Sequence, residues 1–222
     1  MPRMGRVVLP EYPHHVVQRG HDKQAVFVSD DDYRYYVANL AEFKVTYDVK
    51  VYAYCLMTNH VHLLLAPDTA SGLGQLMKRL AGRQTRYRNK FEGRSGTLWE
   101  SHYKSSLVDR DDYLMACVRY IELNPIRARM VSDPMDYPWS SCKHRMIRAG
   151  TEWLDLAPGV SGMQSEAYLA YLRSAIPDGE WKLIREAVQR GQLTGGPRFV
   201  DQIEAAMGRR IEHRQPGRPR LE

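Results

Sequence analysis

Two runs of β-branched and aromatic residues, Val49–Met57 and residues 60–65, are separated only by the turn-forming pair Thr58-Asn59. Such a pattern reads as a hairpin, and a hairpin alone does not bury enough surface to be stable. Its flanks supply the rest. Upstream, residues 14–18 read as a strand ending in the turn-like Arg19-Gly20, and residues 26–28 as a second brief extended piece. Residues 29–32 (Ser-Asp-Asp-Asp) then offer N-cap candidates and negative charge to a helix running to about Tyr47, with Tyr36, Leu40 and Phe43 on one side. Downstream, Leu73, Leu76, Met77, Leu80, Gln84 and Tyr87 recur at helical spacing. After a break at residues 93–96, residues 103–108 read as a further strand. The order β-α-β-β-α-β predicts an α+β, ferredoxin-like antiparallel sheet with both helices on one face.

Beyond that unit, Asp111-Asp112 is expected to cap a helix toward Leu123, which Asn124-Pro125 interrupts before a short restart. From Asp133 the pattern changes, with Pro134, Pro138 and Gly150 breaking the chain and helical stretches near residues 165–175, 180–190 and 198–207. The expected organisation is a catalytic unit over 8–132, a helical extension over 133–208 and a basic, disordered tail over 209–222. With 43% hydrophobic and 26% charged residues, the 222-residue chain can form one substantial core. Cys55, Cys117 and Cys142 lie far apart without a CxxC pair, which excludes a disulfide framework or zinc ribbon and suits a reducing cytoplasm. No stretch has the length and apolarity of a membrane span or signal peptide, so neither insertion nor export is expected.

The formal net charge of +6 is unevenly placed. Residues 78–104 carry eight cations against Glu92 and Glu100, so this segment alone equals the excess of the whole chain. Lys78, Arg79, Arg83 and Arg86 make the second helix a candidate phosphate-binding face, with a merely solvated face as the alternative. Arg19 and Lys104, flanking the sheet, are candidates for contacts nearer a reactive centre.

Two constellations carry chemistry. In His60-Val61-His62, side chains two apart on a strand share a face, so two imidazoles can converge on one ion while Val61 and Leu63 enter a core. An isolated HxH more often only hydrogen-bonds, so spacing alone does not decide. Tyr120 and Asn124, four apart on a helix, also share a face, with Cys117 one turn earlier. Taken singly, Tyr120 also reads as a half-buried core residue and Asn124 as the cap of a helix beginning with proline.

Together these stretches resemble a known family. Residues 54–65 (Tyr-Cys-Leu-Met-Thr-Asn-His-Val-His-Leu-Leu-Leu) look like the HUH motif of single-tyrosine transposases. Val16-Val17-Gln18-Arg19-Gly20, Gly96-Thr97-Leu98-Trp99-Glu100 with Tyr103-Lys104-Ser105-Ser106, and residues 119–128 (Arg-Tyr-Ile-Glu-Leu-Asn-Pro-Ile-Arg-Ala) resemble the REP-associated tyrosine transposases in the expected order. Thr58 stands where that family has proline. Ser101-His102 stands where a small residue followed by arginine is expected.

The resemblance implies that His60 and His62 hold a divalent metal, Mg2+ or Mn2+, with Asn124 as a further ligand and Tyr120 as the nucleophile. It implies cleavage and transfer of single-stranded or hairpin DNA with REP-type palindromes, through a 5′-phosphotyrosine and a free 3′-hydroxyl. The group that activates Tyr120 is not identified by it. A monomer is implied for this branch, with a dimer as the alternative, working in the cytoplasm at the nucleoid. Pro216-Gly217-Arg218-Pro219-Arg220 resembles an AT-hook core, placing Arg218 and Arg220 in a minor groove, although a plain basic tail is the simpler reading. The competing function is a hairpin-binding protein on the same fold with little or no catalysis. A two-histidine RNA phosphoesterase ranks last, because His14-His15 has the wrong spacing for its second motif.

Overall fold

In a computed structural model that describes residues 6–147 and 152–211, strands β1 (His14–Arg19), β2 (Val49–Met57), β3 (His60–Pro67) and β4 (Lys104–Leu107) form one antiparallel sheet in the order β2-β3-β1-β4. Helix α1 (Asp30–Thr46) joins β1 to β2 and α2 (Gly72–Glu92) joins β3 to β4. This is the expected ferredoxin-like arrangement, an α+β fold. Both helices pack on one face, where Tyr36, Leu40, Phe43, Leu73, Leu76 and Leu80 meet Val16, Leu56, Val61 and Leu63. The start of α1 is held by Asp32, whose carboxylate accepts the backbone N–H groups of Val28 (2.6 Å) and Ser29 (3.0 Å) and the Arg88 guanidinium from α2 (2.8 Å). Residues 26–28 are not a strand, because the amides of Val26 and Phe27 both donate to one carbonyl, that of Thr58, rather than to a ladder.

A bulge in β2 decides what the other face looks like. Val49 and Val51 pair with Pro67 and Leu65, but the register then shifts so that Ala53 pairs with Leu64 and Cys55 with His62. The extra residue turns Ala53, Cys55 and Met57 away from the α1/α2 core while Val49 and Val51 stay in it. The second face therefore carries small side chains beside the histidines. Helix α3 (Leu114–Glu122) lies on that face, with Cys117, Tyr120 and Ile121 in one cluster with Ala53, Cys55 and Leu64. Asp111 and Asp112 do not cap it; they sit in a turn, and Tyr113 holds the cap position without a side-chain bond. The short α4 (Asn124–Arg127) follows directly, with proline in its first turn as expected.

Of the remaining helices, α5 (Ser141–Ile147), α6 (Ser165–Arg173) and α7 (Glu180–Arg190) join the second layer, whereas α8 (Pro197–Met207) packs with Leu107 and Leu193 in a separate cluster by β4; α5 was not anticipated. Tyr168, Leu172 and Ile184 join the cluster around α3. Residues after 132 also cover both sheet edges. Leu56 on β2 donates to the Trp139 carbonyl (2.9 Å), and Thr194 bonds Leu107 and Asp109 beyond β4 (2.8 Å each). No helix among the described residues is long and apolar enough to cross a membrane.

Glu122 ties the layers together. Fully buried, its carboxylate accepts the hydroxyls of Ser141 and Tyr168 (2.6 Å each) and the Arg145 guanidinium (3.3 Å). Arg145 also reaches the Tyr52 carbonyl (2.6 Å), and Ser141 accepts the Tyr54 amide (3.0 Å). Removing one partner of a buried ion pair leaves the other charge uncompensated. Glu122→Ala is thus expected to lower the unfolding free energy by about 3–5 kcal/mol in urea titrations.

Candidate active site

The faces set by the register decide which side chains meet. Val17 pairs with His62 and Arg19 with His60, so these four, with Met57 across β2, share the surface that α3 covers. The spacing of Tyr120 and Asn124 on successive short helices brings both to the same place. A cavity of about 330 Å³ is lined by His60, His62, Tyr120, Asn124, Arg19 and Lys104, together with Arg127 from α4 and Arg185 and Gln189 from α7. The imidazole rings of His60 and His62 lie 5.1 Å apart and the Tyr120 ring is 5.9 Å from that of His62. Six of the residues singled out from sequence therefore converge on one site.

The histidines are oriented from behind. The Nδ1 of His60 bonds Asn59 Oδ1 at 2.7 Å, so the ring donates there and leaves Nε2 as a bare lone pair. The Nδ1 of His62 lies 2.9 Å from Nε2 of His15, a fully buried residue of β1. His62 can ligate through Nε2 only in the tautomer whose Nδ1–H donates to His15, which then carries its own proton on Nδ1, an atom with no partner among the described residues. Burial and the nearby positive charge of Arg127 push the His15 ring down to about 3, and burial with Arg19 and Arg127 pushes His60 down to about 4. His62 is lowered well below the usual imidazole range by burial, then by its histidine and arginine neighbours. Both candidate donors are thus neutral at pH 7, as metal ligation requires.

The third proposed donor is occupied. Asn124 is buried, its Nδ2 donates to the carbonyls of Tyr120 (3.0 Å) and Ile121 (3.2 Å), and its Oδ1 accepts from Arg127 (2.8 Å). Arg127 also donates to the Tyr120 hydroxyl at 3.2 Å. Its guanidinium carbon lies 4.1 Å over the Tyr120 ring and 4.8 Å over that of Trp181 on α7. Tyr120 is only 2% exposed, roofed by this arginine. The two neutral imidazoles suit a divalent ion as donors, and Asn124, whose oxygen holds the bond from Arg127, lines the same cavity. No cluster of three or more His, Cys, Asp or Glu suited to a metal occurs among the described residues.

The basic helix lies elsewhere. On α2, across the sheet from Tyr120, Lys78, Arg79 and Arg86 are exposed, with Arg79 donating to the Tyr47 hydroxyl (3.0 Å). Arg83 is committed to α1, bonding Glu42 (2.6 and 3.1 Å) and Asn39 (2.6 Å). His102 is exposed and does not line the cavity. Arg218 and Arg220 lie outside the described residues. Sequence reasoning missed His15, Arg127, Trp181, Arg185 and Gln189. His15 was legible in principle, since it shares with Arg19 the face of β1 that pairs with the HxH strand; nothing in the sequence placed α7 over the cleft.

Burial sets a pH dependence. His14 and His60 are pushed down to about 4 and His15 to about 3, while an unfolded chain binds these protons near pH 6.5. The unfolded state therefore binds more protons below pH 6.5, and folding loses free energy as pH falls toward 4, by at most about 1.4 kcal/mol per pH unit for each histidine. Urea unfolding of the metal-free protein stepped from pH 7 to pH 4.5 should show this decline. A flat profile would mean that the rings accept protons in the folded state.

Comparison with known proteins places this geometry. A family profile described as "Transposase IS200 like" matches residues 9–124, from before β1 to Asn124. A solved structure of a REP-associated tyrosine transposase bound to a REP hairpin aligns over 74% of this chain and 96% of that one, at 16% identity and a TM-score of 0.53. A protein from Deinococcus radiodurans R1 described as a transposase aligns over 58% of this chain and 92% of that one, at 19% identity and a TM-score of 0.37. No curated protein matches. The profile spans more than half of the sequence and contains both histidines of the HxH strand and the tyrosine that faces them: the chain belongs to the IS200-like transposase family.

Proposed function

We propose that this chain cuts and rejoins single-stranded DNA through Tyr120, within the REP-associated branch of its family, and that hairpin-forming palindromes are its substrates. One observation carries the reading: a single cavity is lined by Tyr120, two neutral imidazoles and four cations, and by no Asp or Glu among the described residues. That lining suits a phosphodiester. Its size admits an extended strand presenting one phosphate at a time. The likeness to a structure bound to a REP hairpin supports the substrate class.

The Tyr120 hydroxyl would attack the phosphorus and give up its proton, forming a phosphotyrosine on the 5′ side and breaking the bond to the 3′ oxygen, which takes up one proton and leaves as a hydroxyl. Holding the strand covalently conserves the bond energy, so a second 3′-hydroxyl can reverse the reaction and join a new end without ATP. His60 and His62 would hold a divalent ion, Mg2+ or Mn2+, with Asn124 Oδ1 joining them; when bound, such an ion supplies Lewis-acid polarisation of the phosphate. Imidazole donors suit manganese better than magnesium. His15 would keep His62 in the ligating tautomer. Arg19 and Lys104 would hold the phosphate from the sheet. Arg127, bonded to both Tyr120 and Asn124, would turn part of its guanidinium to the incoming phosphate. Lys78, Arg79 and Arg86 would take the hairpin stem on the far side of the sheet, and Arg83 would first have to leave Glu42. Because the nucleophile and both imidazoles come from one chain, a monomer suffices.

The test uses single-stranded oligonucleotides bearing palindromes from the source genome, with Mn2+, resolved on denaturing gels. Wild-type protein should form a covalent adduct that Tyr120→Phe abolishes while hairpin affinity stays within about twofold, a difference under about 0.5 kcal/mol. His62→Ala should lose metal-dependent cleavage. Tight hairpin binding with no adduct under any divalent ion would replace this reading with that of a binding protein.

A further inference from the structure

We propose that α7, beyond the stretch that the family profile matches, forms part of the DNA-binding site: Arg185 and Gln189 make a subsite for a backbone phosphate next to the scissile one. This deepens the reading above and rests on it. Residues 185 and 189 are four apart and so share a face of α7, and both line the cavity that holds Tyr120, His60 and His62. Both are exposed, and neither makes a hydrogen bond or ion pair among the described residues. None of the other charged residues of the helix lines this cavity. Glu180 pairs with Arg119 (2.8 Å), and Glu186 pairs with Arg190 (3.4 Å) and lines a different cavity. What α7 presents to the cleft is an uncommitted guanidinium, a carboxamide and the apolar Val188.

The helix is held rigidly where it would have to act. It packs against α3, β4 and β1. Its Trp181, one turn before Arg185, lies against Arg127 beside Tyr120, with the two rings 6.3 Å apart and nearly perpendicular. Arg119 fixes the first turn of α7 to α3 through Glu180 and stacks on Tyr171. A strand whose scissile phosphate lies at Tyr120 must continue past one wall of the cavity, and the α7 wall offers it a cation and an amide donor on a packed helix. Guanidinium groups suit phosphate through paired N–H donors.

The experiment uses the full chain and single-stranded oligonucleotides spanning a cut site that the wild-type protein cleaves, followed by fluorescence anisotropy across a salt series. Arg185→Ala should weaken binding roughly two- to fivefold at low salt, as expected for an exposed charge contact. It should also lower the slope of log affinity against log salt by about 0.7, the value for one phosphate contact to a single strand. Arg185→Lys should restore the slope. Oligonucleotides carrying one neutral methylphosphonate at successive positions locate the contact. One position beside the cut should weaken binding by wild type but not by Arg185→Ala. An unchanged salt slope in Arg185→Ala, with every methylphosphonate penalty retained in both Arg185→Ala and Gln189→Ala, overturns the subsite while leaving the Tyr120 reading standing. Failure of wild type to bind or cut any single strand overturns both. Because both side chains are exposed, unchanged thermal unfolding of the variants confirms that the comparison is between folded proteins.

Discussion

The structure depends on the placing of one buried carboxylate, Glu122, two residues beyond the proposed nucleophile. Its ligands come from α5 and α6, and Arg145 and Ser141 carry the connection onward to the backbone of β2. A charge with no exposed surface is tolerated only when its lone pairs are filled, so α3 has one position in which this network closes. That position puts Tyr120 over His62. The orientation of the phenol is thus set by contacts on the far side of its own helix.

Electrostatics complete the picture. Around the two neutral imidazoles stand Arg19, Lys104, Arg127 and Arg185, and among the described residues the lining contains no carboxylate to offset them. Such a cleft focuses a positive potential and draws in polyanions. It also disfavours a lone divalent cation, whose charge is repelled by four others at short range. On the proposed reading negative charge would come with the nucleic acid, so ion and phosphate would assist each other's binding, and by linkage the assistance would be equal in both directions.

The part of the fold that local patterns determine could be read in advance. The β-α-β-β-α-β order, the extent of β2 and the faces of β3 follow from alternation, turn chemistry and helical spacing, and residues 180–190 were placed as a helix to the residue. The HxH pair and Tyr120 were legible because each lies on a regular element whose period fixes its face. Residues 26–28 misled, since β-branched composition cannot tell a ladder from a loop whose amides converge on the Thr58 carbonyl. Arg83 looked like a free cation until its distance to Glu42, 41 residues away, was known. His15, Arg127 and α7 entered the site through tertiary packing, which no local period encodes.

The way the sheet is finished has a consequence for how the chain reaches its native state. Strand β4 is four residues long, and the backbone that closes its end comes from Thr194, nearly ninety positions later; the opposite border waits for Trp139. Contacts so distant in sequence form only after a large loss of chain entropy, and they slow folding. Until the ribosome has released most of the polypeptide, the early β-structure remains an unfinished template with unpaired amides on either flank. The sheet is therefore complete only once Thr194 has joined it, and the transposase core and its later helices mature together.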